Sequence, residues 1–171
     1  MTILKTNPAD WAETELSIRT VPDPILRQEC APVESFGAEL QTFGVGMTAF
    51  MKQSKGIGPA GPQIGIPYRI VTVGMPQIEL FLINPQVVPV TMDSDTKVEG
   101  CLSLPEQSYN VTRCFEVEVK ARDAEGKRVH FVAEDLLARV IQHEVDHLDG
   151  VMICDRDADK RSSKSGSITV R

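Results

Sequence analysis

Histidine and aromatic residues are scarce in this chain, and long apolar runs are missing altogether. The 171 residues hold three histidines, one tryptophan and two tyrosines, so any histidine chemistry must come from very few positions. No window approaches the roughly 18 consecutive apolar residues that a membrane-spanning helix needs. Met1 to Thr20 has no apolar run either, so neither a signal peptide nor a transit peptide is expected. Positive charge is in short supply, with 18 Lys and Arg against 24 Asp and Glu. A net charge of −6 argues against a general nucleic-acid or anionic-membrane binder, and no nucleic-acid groove is expected. The four cysteines, Cys30, Cys101, Cys114 and Cys154, follow no regular spacing and make no disulfide framework. They fit a reducing, cytoplasmic compartment. Gly56 to Gly65 is rich in glycine and proline but lacks the Lys-Ser/Thr of a phosphate loop, and its prolines exclude a dinucleotide fingerprint.

What is present concentrates in Gln142-His143-Glu144-Val145-Asp146-His147. Two histidines four apart on a helix point to one side and can grip one metal ion, with Glu144 beside them as a candidate general base. The segment reads as a helix in its own right. Leu137, Ile141, Val145 and Leu148 form a core-facing stripe, Glu134 and Asp135 suit its positive end, and Gly150 suits its stop. Leu136 and Val140 lie between the stripe and the histidines. Ala138, Gln142, Asp146 and Asp149 cluster on a polar side. A core helix carrying two structurally satisfied histidines is the plainer alternative.

A catalytic metal site of this kind takes three protein ligands and leaves a position for water. No His or Glu follows His147; only Asp149, Asp155, Asp157 and Asp159 remain, in a polar tail. The third ligand is therefore sought upstream. Cys101, in Glu99-Gly100-Cys101-Leu102-Ser103-Leu104-Pro105, would complete a Cys-His-His set as a thiolate. Cys30, Cys114 and Cys154 read as small buried hydrophobes, and His130 as an ordinary strand histidine.

The remaining elements are a helix over Ala38–Lys55 and strands over Tyr68–Val73 and Leu80–Val90, with a polar connection over Met92–Lys97. Phe115–Ala121 alternates cleanly and pairs with Lys127–Ala133 through the turn Asp123–Gly126. The chain reads as one catalytic domain over 1–171. About 1–15 is expected to be a peripheral extension and about 156–171 a flexible polar tail.

Three stretches together resemble the signatures of the peptide deformylase family: Gly56–Gln63, Glu99–Pro105 and Gln142–His147. The last two stand intact. In the first, Pro59 replaces the usual Leu and Gly61 the usual Ala. The resemblance covers about Leu16 to Asp155 and implies an α+β fold, with antiparallel sheets packed around a buried metal-binding helix. It implies removal of the formyl group from N-formylmethionyl peptides of nascent chains, with release of formate, near the ribosome and away from membranes. One divalent metal is implied, ferrous iron first, with zinc or nickel as alternatives, held by Cys101, His143 and His147. Glu144 would take a proton from the attacking water, and the Gln63 side chain and Leu102 N–H would stabilise the oxyanion. Ile57, Gly58 and Gly100 would align the peptide, and Leu136 and Val140 would wall an apolar methionine pocket. Arg139, one turn before His143, stands where bacterial members often carry an apolar residue. Its head is expected at the pocket rim, reaching solvent or a carboxylate such as Asp146; a plain surface arginine is the alternative. A non-catalytic relative and an HExxH zinc endopeptidase are the competing functions.

Overall fold

The computed structural model describes residues 8–12 and 14–159. It is an α+β structure with helices α1 (Pro8–Ala12), α2 (Ala38–Gln53) and α3 (Asp135–Leu148). Its strands are β1 (Ile70–Met75), β2 (Ile78–Pro89), β3 (Ser94–Cys101), β4 (Leu104–Cys114), β5 (Glu116–Arg122) and β6 (Arg128–Glu134). β1, β2, β5 and β6 form one antiparallel sheet in that order, and β3 and β4 form a separate hairpin.

The period-two pattern of β5 explains the main sheet. Val117, Val119 and Ala121 face inward, while Lys120 and Arg122 face water. β6 returns in register from Glu116↔Glu134 to Arg122↔Arg128. The turn between them is set by Asp123, whose Oδ1 accepts the N–H groups of Glu125 and Lys127, each at 2.9 Å. On the inner face, Val71, Val73, Val117 and Val119 pack against Ala138, Ile141 and Leu148 of α3. Burying side chains such as Ile141 and Leu148 stabilises by about 1.5–3 kcal/mol each. α3 is thus a core helix, and its histidines are carried at fixed depth.

Several expectations need correction. Ala138 and Asp146 do not lie on a wet polar face. Ala138 is fully buried in the core, and Asp146 is buried between Arg113 and Arg156. The polar connection expected over 92–97 includes the start of β3, which pairs with β4 from Ser94↔Cys114 onward. Its outward residues show no apolar alternation, because this hairpin is joined by its backbone ladder and not by an apolar face. Within the expected strand Leu80–Val90, Asn84 marks an irregularity. It sits inside β2 at a φ of 52° beside a bulge, and its side chain exchanges two 2.8 Å hydrogen bonds with the Val33 backbone.

Both chain ends depart from the peripheral reading where they are described. Trp11 on α1 is buried, with ring centroids 5.4 Å from Phe43 and 4.9 Å from Tyr68. That large apolar ring anchors the lead segment to α2; residues 1–7 of the expected extension lie outside the described residues. At the other end, Arg156 bonds Asp146 at 2.6 and 3.1 Å, and Asp157 is buried beside Val111. The expected tail is therefore docked through Asp159, while 160–171 lie outside the described residues.

Candidate functional site

α3 presents His143 and His147 one turn apart, with ring centroids 5.0 Å from each other. The β3–β4 hairpin brings Cys101 to them. Its sulfur lies 3.3 Å from His147 Nε2, and the ligand atoms of Cys101, His143 and His147 all fall within 4.8 Å of one another. One thiol and two imidazoles at that separation are a donor set suited to a soft or borderline divalent cation. Burial, followed by the nearness of His143, holds His147 well below the usual imidazole range, so it is neutral as a ligand must be. Burial also pushes the Cys101 thiol up to about 11, a cost that a bound cation would reverse.

Glu144 lies beside this triad and is almost fully buried. Burial pushes its carboxyl well above the usual range. Its Oε2 has no hydrogen-bond partner among the described residues, and an unpartnered buried carboxylate oxygen is what a water-activating group needs. Its other oxygen faces Gly58, where an added Cβ would stand 3.0 Å from Oε1. Gly58 therefore lets the loop backbone close over the carboxylate.

The loop that carries Gln63 is tightened by Gly61, at which any Cβ would collide with the carbonyl oxygens of Tyr68 and Ile66. This close approach explains why glycine stands here. The following single turn, Gly61–Ile64, fixes the Gln63 amide. Its Oε1 accepts the Ala60 N–H at 2.9 Å, which leaves Nε2 to point at Ser103 Oγ (3.2 Å) and Cys101 Sγ (3.5 Å). The loop's other departure, Pro59, keeps its carbonyl on the Thr72 N–H at 3.0 Å, so the loop stays stitched to β1.

A cavity of about 640 Å³ opens over these groups. The structure brings Ile57, Gly58, Gln63, Gly100, Cys101, Leu102, Leu136, Val140, His143 and Glu144 to its lining. His147 sits behind the lining. Val140 is buried, and Leu136 and Ile57 are about half exposed at the mouth.

Sequence reading missed the groups behind the histidines. His143 Nδ1 lies 2.9 Å from Glu99 Oε2. Arg113 grips the same carboxylate with two 3.0 Å hydrogen bonds and also pairs with Asp146. Burial alone would raise the Glu99 carboxyl, but hydrogen bonds from His143 and Arg113 outweigh it and bring it down to about 2. Glu99 was visible two places before Cys101; Arg113, in an irregular polar strand, gave no signal. Arg139 lines the cavity and reaches carboxylates, as expected, but its head is buried and not open to solvent; it binds Glu99, Asp95 and the Val111 carbonyl, and Asp146 is bound by other arginines instead.

Comparison with known proteins points to one family. The polypeptide deformylase family model matches residues 15–163. A peptide deformylase of Desulforudis audaxviator is 39% identical over 136 residues, covering 79% of this chain and 88% of the relative. One from Natranaerobius thermophilus is 40% identical over 140 residues, covering 81% and 90%. Among solved structures, the peptide deformylase of Thermotoga maritima superposes with a TM-score of 0.81 at 34% identity, covering 85% of this chain and 99% of that one. A plant peptide deformylase gives 0.82 at 33% identity, covering 90% and 87%.

Proposed function

The chain belongs to the peptide deformylase family, and on that premise we propose that Cys101, His143 and His147 hold its metal and that Glu144 moves its proton. The protein is a metal-dependent hydrolase that removes the N-formyl group from the N-terminal formylmethionine of newly made chains and releases formate. The observation that carries the residue roles is the meeting of three ligand atoms within 4.8 Å beside an unpartnered, buried Glu144 oxygen.

A divalent cation in the Cys-His-His set would lower the pKa of a water molecule and polarise the formyl oxygen. Glu144 would take the proton of the attacking water and pass it to the leaving amine. Gln63 Nε2, pinned by Ala60, donates to the developing oxyanion, and the Leu102 N–H is the second donor. Ile57, Gly58 and Gly100 supply backbone along the substrate chain. Leu136 and Val140 form the apolar side that receives the methionine side chain.

The preferred metal is ferrous iron, with zinc and nickel also suited to one thiolate and two imidazoles. Residues 1–171 act as a single catalytic domain, working in the cytoplasm on nascent chains near the ribosome. No helix among the described residues is long and apolar enough to cross a membrane.

Formate release tests this reading. Protein loaded with ferrous iron or nickel should release formate from formyl-Met peptides and barely act on acetyl-Met peptides, whose extra methyl meets the narrow gap beside Gln63. Folded, metal-loaded protein that instead cleaves internal peptide bonds would overturn it.

A further inference from the structure

We propose that Arg139 is a positioning residue that sets the distance between the two halves of the metal site. The inference rests on reading Cys101, His143 and His147 as ligands of one ion. Those ligands come from separate elements, since Cys101 lies on the β3–β4 hairpin and the histidines lie on α3. The hairpin belongs to neither strand order nor hydrogen-bonded ladder of the main sheet. Something else must therefore hold it at a fixed distance from the helix.

Arg113 and Glu99 cannot do this by themselves, because both sit on the hairpin and their double hydrogen bond closes within it. Gln142 of α3 exchanges two neutral hydrogen bonds with the Cys114 backbone at the far end of β4, and the charged ties that cross to α3 flank His143. One turn after it, Asp146 holds Arg113. One turn before it, Arg139 holds both strands of the hairpin at once. Its Nη1 donates to Glu99 Oε1 at 2.7 Å and to the Val111 carbonyl on β4 at 2.9 Å. Its Nη2 donates to the Asp95 carbonyl on β3 at 2.9 Å and to the Asp95 carboxylate. Glu99, so fixed, receives His143 Nδ1. A planar guanidinium can serve four acceptors in two directions, whereas a lysine ammonium reaches from one point. Asp95 continues outward to Lys97, which also pairs with Asp135 at the start of α3. The clamp therefore runs from the surface to the carboxylate that orients a histidine. The Arg139 side chain also lines the substrate cavity, so a change that keeps its stem separates clamping from wall contact.

Arg139→Met keeps most of that stem and removes the head. In the full chain, a chelator-competition titration with Co2+ should show metal affinity weakened by about 10–100-fold, the usual effect of losing a partner behind a ligand. The thiolate-to-cobalt absorption band should shift, and kcat should fall while KM for a formyl-Met peptide stays near the wild-type value. Arg139→Lys should recover only part of the affinity. Wild-type affinity and spectrum in Arg139→Met, with a change in KM alone, would make Arg139 a cavity wall and overturn the proposal. Should Arg139→Met fail to fold, Asp95→Ala decides. It removes a carboxylate that is 35% exposed and lies outside the cavity, and it should weaken metal binding several-fold; unchanged affinity in that folded variant overturns the clamp. Cys101→Ala and His143→Ala in the same titration isolate the premise, since retained metal there would overturn the ligand assignment itself.

Discussion

The Nε2 of Gln63 lies 3.5 Å from the sulfur of Cys101, and it is aimed there because the other end of the same amide is spent on the Ala60 N–H. A glutamine free to flip would present its oxygen half the time; this one presents a donor. The donor has no role in holding the cation, so its loss should be felt in the transition state. Gln63→Ala should lower kcat by about 10²–10³ with metal content unchanged. Steady-state formate release together with metal analysis checks it. A loss of activity wholly explained by lost metal would assign Gln63 to the metal instead.

Glu144 should be separable from the metal in the same way. Its carboxyl is buried against Gly58 and keeps one oxygen unpartnered, which suits a proton carrier better than a ligand. Glu144→Ala should keep near-stoichiometric metal while activity falls by about 10²–10⁴. Normal turnover in that variant would remove Glu144 from the mechanism.

How much of this was legible beforehand follows from which forces leave a periodic trace. α3 and the β5–β6 hairpin were readable because apolar burial repeats at 3.6 or at 2 residues. That Cys101, His143 and His147 come together was readable because metal-ligand chemistry constrains residue type and spacing. β3 and β4 were not, since their register is set by backbone hydrogen bonds and buried ion pairs, for which the sequence shows only scattered polar residues. Arg113, Arg139 and Asp146 look like surface charges until the hairpin folds over α3 and buries them together. Trp11 was legible as a large apolar side chain but sat in a polar context that masked its docking.

Gly61 stands where a side chain has no room, so alanine at this position should harm this chain. A Cβ there meets two backbone carbonyls, which cannot move away as a side-chain tip could. Gly61→Ala should lower stability by about 1–3 kcal/mol, read from urea unfolding followed by circular dichroism. Because Gly61 opens the turn that holds Gln63, the folded fraction should also lose part of its kcat. A variant as stable and as active as wild type would mean that the loop relaxes freely.

The four cysteines provide the sharpest contrast, because they share a side chain and differ only in surroundings. Cys30 packs in the core beside the end of α3, and burial pushes its thiol up to about 12. It should stay protonated near neutral pH and resist iodoacetamide in the folded protein. Cys101 is also raised by burial, yet it alone of the four faces two imidazoles. Cys101→Ala should strip or severely weaken metal binding, whereas Cys30→Ala and Cys114→Ala should bind metal like the wild type. Equilibrium dialysis followed by elemental analysis reads all three variants on one scale. Metal retained without Cys101 would send the search for a third ligand to the carboxylates near His147. Metal lost without Cys30 would mean that the core packing under α3, and not the thiolate, governs the site.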